Sequence, residues 1–158
     1  MIINKCDLTN KKESIQKTKR QYLLGVDVGT TSIKAAVFDN TGRQISSSNV
    51  DYTLIAKGDY IELDANLYWT LFRKAMAEAV GDLDISALSI DTQCETMILT
   101  DENGNPLRNA IVWLDNRAAK QASEIEQVFG VKKVYEVTGQ PEVTATWPAA
   151  KLLWIKQN

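Results

Sequence analysis

With 158 residues, 44% of them hydrophobic and 24% charged, the chain is long enough for one ordinary core and has the composition of a globular protein. Its formal net charge is −2, and six basic groups (Lys5, Lys11, Lys12, Lys17, Lys19, Arg20) against Asp7 and Glu13 in the first twenty residues leave the remainder acidic, which argues against nucleic-acid binding by the folded part. Histidine is absent, so Ser/His and Cys/His mechanisms and His-ligated metals are excluded for this chain, whose chemistry must run on carboxylates, hydroxyls, backbone amides and hard cations.

The opening stretch, "MIINKCDLTNKKESIQKTKR", lacks the apolar segment of a secretion signal and is expected to be a flexible basic tail over residues 1–20, ahead of a single folded unit over 21–158. No apolar run approaches the roughly 18 residues a membrane helix requires, so no membrane partner is expected. Cys6 and Cys94 make no metal spacing, and a reduced cytoplasmic setting follows from that usage.

Tyr22 to Val28 is apolar and β-branched and predicts a buried strand; Ile33 to Asp39 predicts a second. "DNTGR" supplies a turn into a more exposed third strand, Gln44 to Tyr52. A helix follows, with Asp64 as N-cap, an apolar face of Tyr68, Phe72, Ala75, Met76 and Ala79, and Gly81 as its stop. Further strands are expected over Ala87 to Gln93, over the segment "ETMILTDENGNPL" into an Asn-Gly turn, and over Asn109 to Asp115. Helices fill the rest: one with Ala118, Ala122, Ile125 and Phe129 on a face up to Gly130, a shorter one to Gly139, and a last one from Pro148 through Trp154. The order predicts a mixed α/β sheet.

The turn "DVGTTSIK" joins two strands, which excludes the Walker A and dinucleotide loops, since both lead into a helix. A hairpin can still cradle phosphate: Gly29 lets amides approach an oxyanion, Thr30, Thr31 and Ser32 add hydroxyls, Lys34 adds positive charge, and Asp27 can hold a Mg²⁺-bound water. The competing reading is a tight turn whose hydroxyls satisfy its own backbone.

The hairpin, third strand and helix together resemble the ATPase core shared by actin, hexokinase-type sugar kinases and heat-shock chaperones. Three blocks, "GVDVGTTSIKAAVFD", "SIDTQCETMILTDENGNPLRNAIVWLDNRA" and "TGQPEVTATWPAAKLLWIK", resemble the N-terminal part of FGGY-family carbohydrate kinases, the group of glycerol kinase and xylulokinase. The resemblance implies a ribonuclease H-like, actin-type half-domain with an antiparallel strand meander flanked by helices. It implies ATP and Mg²⁺ as cofactors, Asp27 as the metal-associated acid, and Gly29, Thr30, Thr31, Ser32 and Lys34 at the phosphates.

For a sugar or polyol acceptor it implies Gln93, Cys94, Glu95, Trp113, Asp115 and Arg117. Cys94-Glu95 stands where glycerol kinases have Arg-Glu and xylulokinases Met-His, so the acid of the first pair is retained and its basic partner is lost. A carboxylate suits a polyol by accepting from two hydroxyls, and an indole suits the C–H face of a sugar. Plainer readings stand beside these: Trp113 as core, Cys94 as a small buried residue, and Asp115 as the cap of a helix starting near Arg117.

In the family the proton-accepting Asp lies beyond the length of this chain, so the chain is expected to be an N-terminal part, a fragment or a shortened gene product, inactive alone. Self-association is expected from the apolar bulk of Trp147, Leu152, Leu153, Trp154 and Ile155 on the last helix. The rival readings are a sugar-sensing ROK-type regulator, which needs a DNA-binding module that twenty residues cannot supply, and a non-catalytic actin-like protein.

Overall fold

The computed structural model describes residues 21–158. The expected tail over 1–20 lies outside the described residues.

The chain runs β1 (Tyr22–Val28), β2 (Ser32–Asp39), β3 (Gln44–Asp51), β4 (Ile55–Lys57), β5 (Tyr60–Leu63), α1 (Ala65–Val80), β6 (Ile85–Thr92), β7 (Ala110–Ile111), α2 (Ala119–Phe129), α3 (Val131–Thr138) and α4 (Pro148–Gln157). The main sheet has the order β3-β2-β1-β6. The meander pairs antiparallel, and β6 returns parallel to β1. A parallel return requires a crossover, and α1 lies within it.

Alternation decides which face of this sheet is the core. Leu24, Val26 and Val28 of β1 and Ile33, Ala35 and Val37 of β2 are buried at a period of two. The buried face of α1 (Tyr68, Ala75, Ala79) joins the same cluster, with Phe72 and Met76 packed at its margin. Asp64 caps α1 by accepting from the amides of Asn66 and Leu67 at 2.8 and 3.2 Å, and Gly81, at φ 51°, receives its C-terminus. A second small core joins α2 and α4 through Ala118, Ala122 and Ala150, with Trp147 and Trp154 against it.

Two expectations differ from what is observed. A second sheet, β4-β5-β7, carries a hairpin turned at Gly58 (φ 60°), where no strand is predicted: Ile55, Ala56 and Lys57 are all exposed and carry no alternation. Residues 95–107 and 109–115 do not form long strands. They reduce to β7 and the isolated bridges Met97–Ile111 and Thr100–Pro106, and the left-handed backbones of Cys94 and Glu95 (φ 53° and 52°) break the ladder between β6 and this segment.

The apolar bulk of the last helix is largely half-buried within the chain. Of Trp147, Leu152, Leu153, Trp154 and Ile155, only Leu152 is exposed. Trp154 packs edge-on against Tyr60 and lies beneath the Arg117 guanidinium.

Candidate phosphate hairpin and acceptor site

The β1–β2 hairpin turns at Gly29–Thr31, closed by the Gly29 amide donating to the Ser32 carbonyl at 3.1 Å. A Cβ on Gly29 would sit 3.0 Å from that carbonyl oxygen and 3.6 Å from Asp27 Oδ1, so any larger residue would press on the turn's closing carbonyl. Thr31 and Lys34 are exposed, Thr30 is half-buried and Ser32 is buried at the start of β2. Among the described residues the Thr30 and Thr31 amides find no acceptor, which suits a ligand rich in oxyanions.

Asp27 and Lys34 are cross-strand partners, with Lys34 Nζ 3.5 Å from Asp27 Oδ2 and both side chains about half exposed (49% and 62%). An exposed pair of this kind holds its partners weakly, so both groups are free to turn to a ligand. Beside them, on the sheet face away from α1, a shallow depression of ≈ 290 Å³ is lined by Gly25, Asp27, Lys34, Ala36, Ser89 and Asp91. No group of three or more Cys, Asp or Glu side chains is placed to hold a metal among the described residues. A Mg²⁺ ion fits this donor set only as a phosphate-bound, largely hydrated ion beside Asp27, which is the manner Mg²⁺ favours.

The acceptor block begins where β6 ends. The Gln93 amide donates to the Val28 carbonyl at 3.0 Å, so the Cys94–Glu95 turn lies at the same end of the sheet as the hairpin. The Cys94 carbonyl takes the Thr96 amide at 2.6 Å, closing the turn, and both Cys94 and Glu95 are exposed. Two adjacent left-handed residues that are not glycine are costly.

Trp113 is half-buried and held at three points. Its amide donates to Thr96 Oγ1 at 3.1 Å, its indole Nε1 to Thr30 Oγ1 at 2.9 Å, and its carbonyl accepts from Lys151 Nζ at 3.2 Å. It is therefore neither simple core nor a free wall. Lys151 is fully buried and also donates to the Val112 carbonyl at 2.9 Å. Burial pushes its ammonium below the usual lysine range, partly offset by Asp115 and Glu95.

Asp115 and Arg117 do not open on this site. Asp115 is fully buried, and its oxygens accept from Arg117 Nε (2.8 Å), the Arg117 amide (3.0 Å), Arg117 Nη2 (2.8 Å) and the Ile61 amide (2.6 Å). Arg117 Nη2 also reaches Glu62 at 2.7 Å, and the guanidinium lies 4.2 Å over the Tyr60 ring. Burial works against both acids, but hydrogen bonds from Arg117, joined by the Ile61 amide at Asp115 and by Asn109 and Arg108 at Glu62, together outweigh it and hold both below the usual carboxylate range. Nor does Asp115 cap α2, which starts at Ala119 with no side-chain cap. The pair is a buried brace between the second sheet and the entry to α2.

Residues 22–158 match the FGGY family of carbohydrate kinases, N-terminal domain. The chain belongs to that family. It is similar to the xylulose kinase of Staphylococcus xylosus (27% identity over 141 residues) and to the glycerol kinase of Paraburkholderia phytofirmans (34% over 145), in each case over 87% of this chain and 29% of the relative. Among solved structures, gluconate kinase from Lactobacillus acidophilus superimposes with a TM-score of 0.81 at 29% identity, over 89% of this chain and 29% of that one. Glycerol kinase from Plasmodium falciparum, solved with ADP, gives 0.81 at 28%, over 88% and 29%. The FGGY domain here thus has the actin-like ATPase fold, and the chain spans about 29% of the length of these relatives.

Three site residues escape the sequence reading. Tyr52 and Tyr68 both reach the Gly29 carbonyl by their hydroxyls, and Lys151 braces Trp113. Tyr68 has only the signature of a helix core face, and a lysine between Ala150 and Leu152 gives no sign of full burial.

Proposed function

We propose that the protein carrying this domain transfers the γ-phosphoryl group of Mg-ATP to a hydroxyl of a sugar or polyol. The observation that carries the reading is the Trp113–Thr30 hydrogen bond, which brings the acceptor wall against the phosphate hairpin. In the reaction the acceptor oxygen bonds to the γ-phosphorus, the bond from that phosphorus to ADP breaks, and a carboxylate takes the hydroxyl proton. Mg²⁺ supplies charge neutralisation across the transferring phosphates.

In this domain the Thr30 and Thr31 amides, the Thr30 and Thr31 hydroxyls and Lys34 bind and orient phosphate oxygens. Asp27 would hold the hydrated Mg²⁺ ion beside those phosphates. Glu95 accepts from two acceptor hydroxyls, Gln93 and Cys94 flank it, and the Trp113 indole covers the apolar face of the sugar. Asp115 and Arg117 we assign to bracing the second sheet against the entry to α2 rather than to sugar contact. With Asp27 kept for the metal ion, Glu95 for the substrate and Asp115 for its ion pair, none of these three is assigned as the proton-accepting base. Cys94 in place of a basic partner disfavours glycerol itself as the acceptor. Self-association through α4 loses its support with that helix packed; the apolar side chains left open include Leu88 and Ile90 on β6.

The test is coupled ADP release by the full-length protein against pentuloses, hexuloses, alditols and aldonates. Acceptor-dependent release with one of these classes is expected, and no release with any of them overturns the proposal.

A further inference from the structure

The Gly29 carbonyl is the meeting point of two tyrosine hydroxyls from different elements. Tyr52, just past β3, donates to it. Tyr68, in the first turns of α1 and 9% exposed, lies 3.3 Å from the same oxygen and 3.2 Å from the Val28 carbonyl. The two rings meet edge to face at 5.4 Å. Tyr52 grips the hairpin a second time, its amide donating to the Thr31 carbonyl at 3.0 Å. Gln93 Nε2 donates to Tyr68 Oη at 2.8 Å, so the phenol accepts from the amide and its single proton is directed to the hairpin carbonyls.

Peptide geometry turns this anchoring into a statement about the ligand. No described peptide bond is cis, and in a trans peptide the carbonyl and the following N–H point in opposite directions. A Gly29 carbonyl drawn toward Tyr52 and Tyr68 therefore aims the Thr30 N–H away from them, and that N–H has no acceptor among the described residues. Glycine tolerates a flipped peptide at little cost, so this orientation needs an external hold. The Thr30 hydroxyl is oriented in the same sense: its oxygen accepts the Trp113 indole N–H, and its own proton is left for a second acceptor.

We propose that Tyr52 and Tyr68 are positioning residues for the nucleotide, fixing the Gly29–Thr30 peptide so that the Thr30 amide is presented to a phosphate oxygen. This rests on the kinase reading above. Neither tyrosine touches the phosphate itself. Gln93, through Tyr68, extends the hold to the acceptor block.

The test compares full-length wild type, Tyr52→Phe, Tyr68→Phe and the double variant, with Tyr135→Phe on an exposed helix position as control. ADP affinity is measured by calorimetry, the Thr30 amide resonance in ¹⁵N-threonine-labelled protein, and KM for ATP and for the acceptor separately. Each single variant is expected to weaken ADP binding and raise KM for ATP by about five-fold, the equivalent of one hydrogen bond. The Thr30 amide should shift before any nucleotide is added, acceptor KM should move less than about two-fold, and the control should match wild type. Phenylalanine keeps the packing, and Tyr52 is only half-buried, so Tyr52→Phe reads the effect even if Tyr68→Phe folds poorly. An unchanged ADP affinity in Tyr52→Phe alongside intact turnover overturns the positioning role and leaves the kinase reading standing. ADP binding that weakens in the variants, in a protein with no acceptor-dependent turnover, keeps the positioning role and removes the kinase reading. No ADP binding by wild type overturns both.

Discussion

The Trp113 indole N–H donates to the Thr30 hydroxyl at 2.9 Å, joining residues 83 positions apart in sequence. An indole donates only, so Thr30 Oγ1 must accept, and one bond ties the orientation of the acceptor wall to that of a phosphate donor. Trp113→Phe keeps an aromatic wall and removes the donor. It should raise KM for ATP as well as for the acceptor, each by about five-fold. A double-mutant cycle with Thr30→Ala should return a coupling of about 1 kcal/mol, and strictly additive effects count against the link.

The Glu62–Arg117–Asp115 brace predicts a stability effect separate from catalysis. Removing one partner of a buried ion pair leaves an uncompensated charge, so Arg117→Met should cost about 3–5 kcal/mol by urea unfolding. Acceptor KM of the surviving folded protein should change little; a large selective rise in that KM restores Arg117 to the substrate site.

The same brace sets a pH dependence. Asp115 and Glu62 are held below their ordinary values, chiefly by Arg117 once burial is overcome. Groups depressed in the folded state contribute stability that is complete above their unfolded values, about 3.9 and 4.3, and is lost as pH falls through the folded ones. Urea midpoints should therefore hold down to about pH 5 and fall steeply below about pH 4. The fall should be shallower in Arg117→Met.

Much of this fold is legible because its elements carry local signals. The alternation of Leu24, Val26 and Val28, the Asp64 cap, the glycines at 81, 130 and 139 and Pro148 at the start of α4 each fix a strand or helix without tertiary help. The hairpin and the Gln93–Glu95 block are legible for a different reason, since they combine residue types that a turn alone does not need. What the sequence hides is fixed by tertiary partners. The β4–β5 hairpin exists by pairing with β7, 47 or more residues away. Asp115 reads equally well as a cap or a ligand until Arg117, Glu62 and the Ile61 amide converge on it. Tyr52, Tyr68 and Lys151 serve the site through backbone carbonyls, and a carbonyl leaves no mark on sequence.

Lys151 predicts an effect at the other end of the pH scale. Its folded-state affinity for a proton is lowered, chiefly by burial. The folded state then binds fewer protons than the unfolded one as pH approaches the ordinary lysine value of about 10.4, so stability should rise across that interval. Lys151→Met removes the slope and leaves the Trp113 carbonyl without its donor, while the Val112 carbonyl keeps the Asp115 amide, costing about 1–3 kcal/mol at neutral pH. Urea midpoints at pH 7.5 and 9.5 (on the order of two units apart) separate the two effects. A variant that keeps the wild-type rise shows that another group titrates there.

Glu95 carries the sharpest conflict between stability and function. It is exposed, follows Cys94 in a left-handed backbone at φ 52°, and its side chain makes no hydrogen bond among the described residues that would hold that conformation. A non-glycine residue held there costs of order 1 kcal/mol, and such costs gather at functional sites. Glu95→Gly relieves the backbone and removes the carboxylate together. It should raise the unfolding free energy by up to about 1 kcal/mol while acceptor KM rises strongly. Glu95→Gln isolates the chemistry, because it keeps size and backbone but turns one acceptor oxygen into a donor. Losing a hydrogen bond to a charged group should raise acceptor KM by about ten-fold to a hundred-fold with KM for ATP unmoved. If Glu95→Gly instead lowers stability, the carboxylate holds the turn itself. If both variants keep wild-type acceptor KM, the sugar is held elsewhere and Cys94–Glu95 is a turn without a ligand.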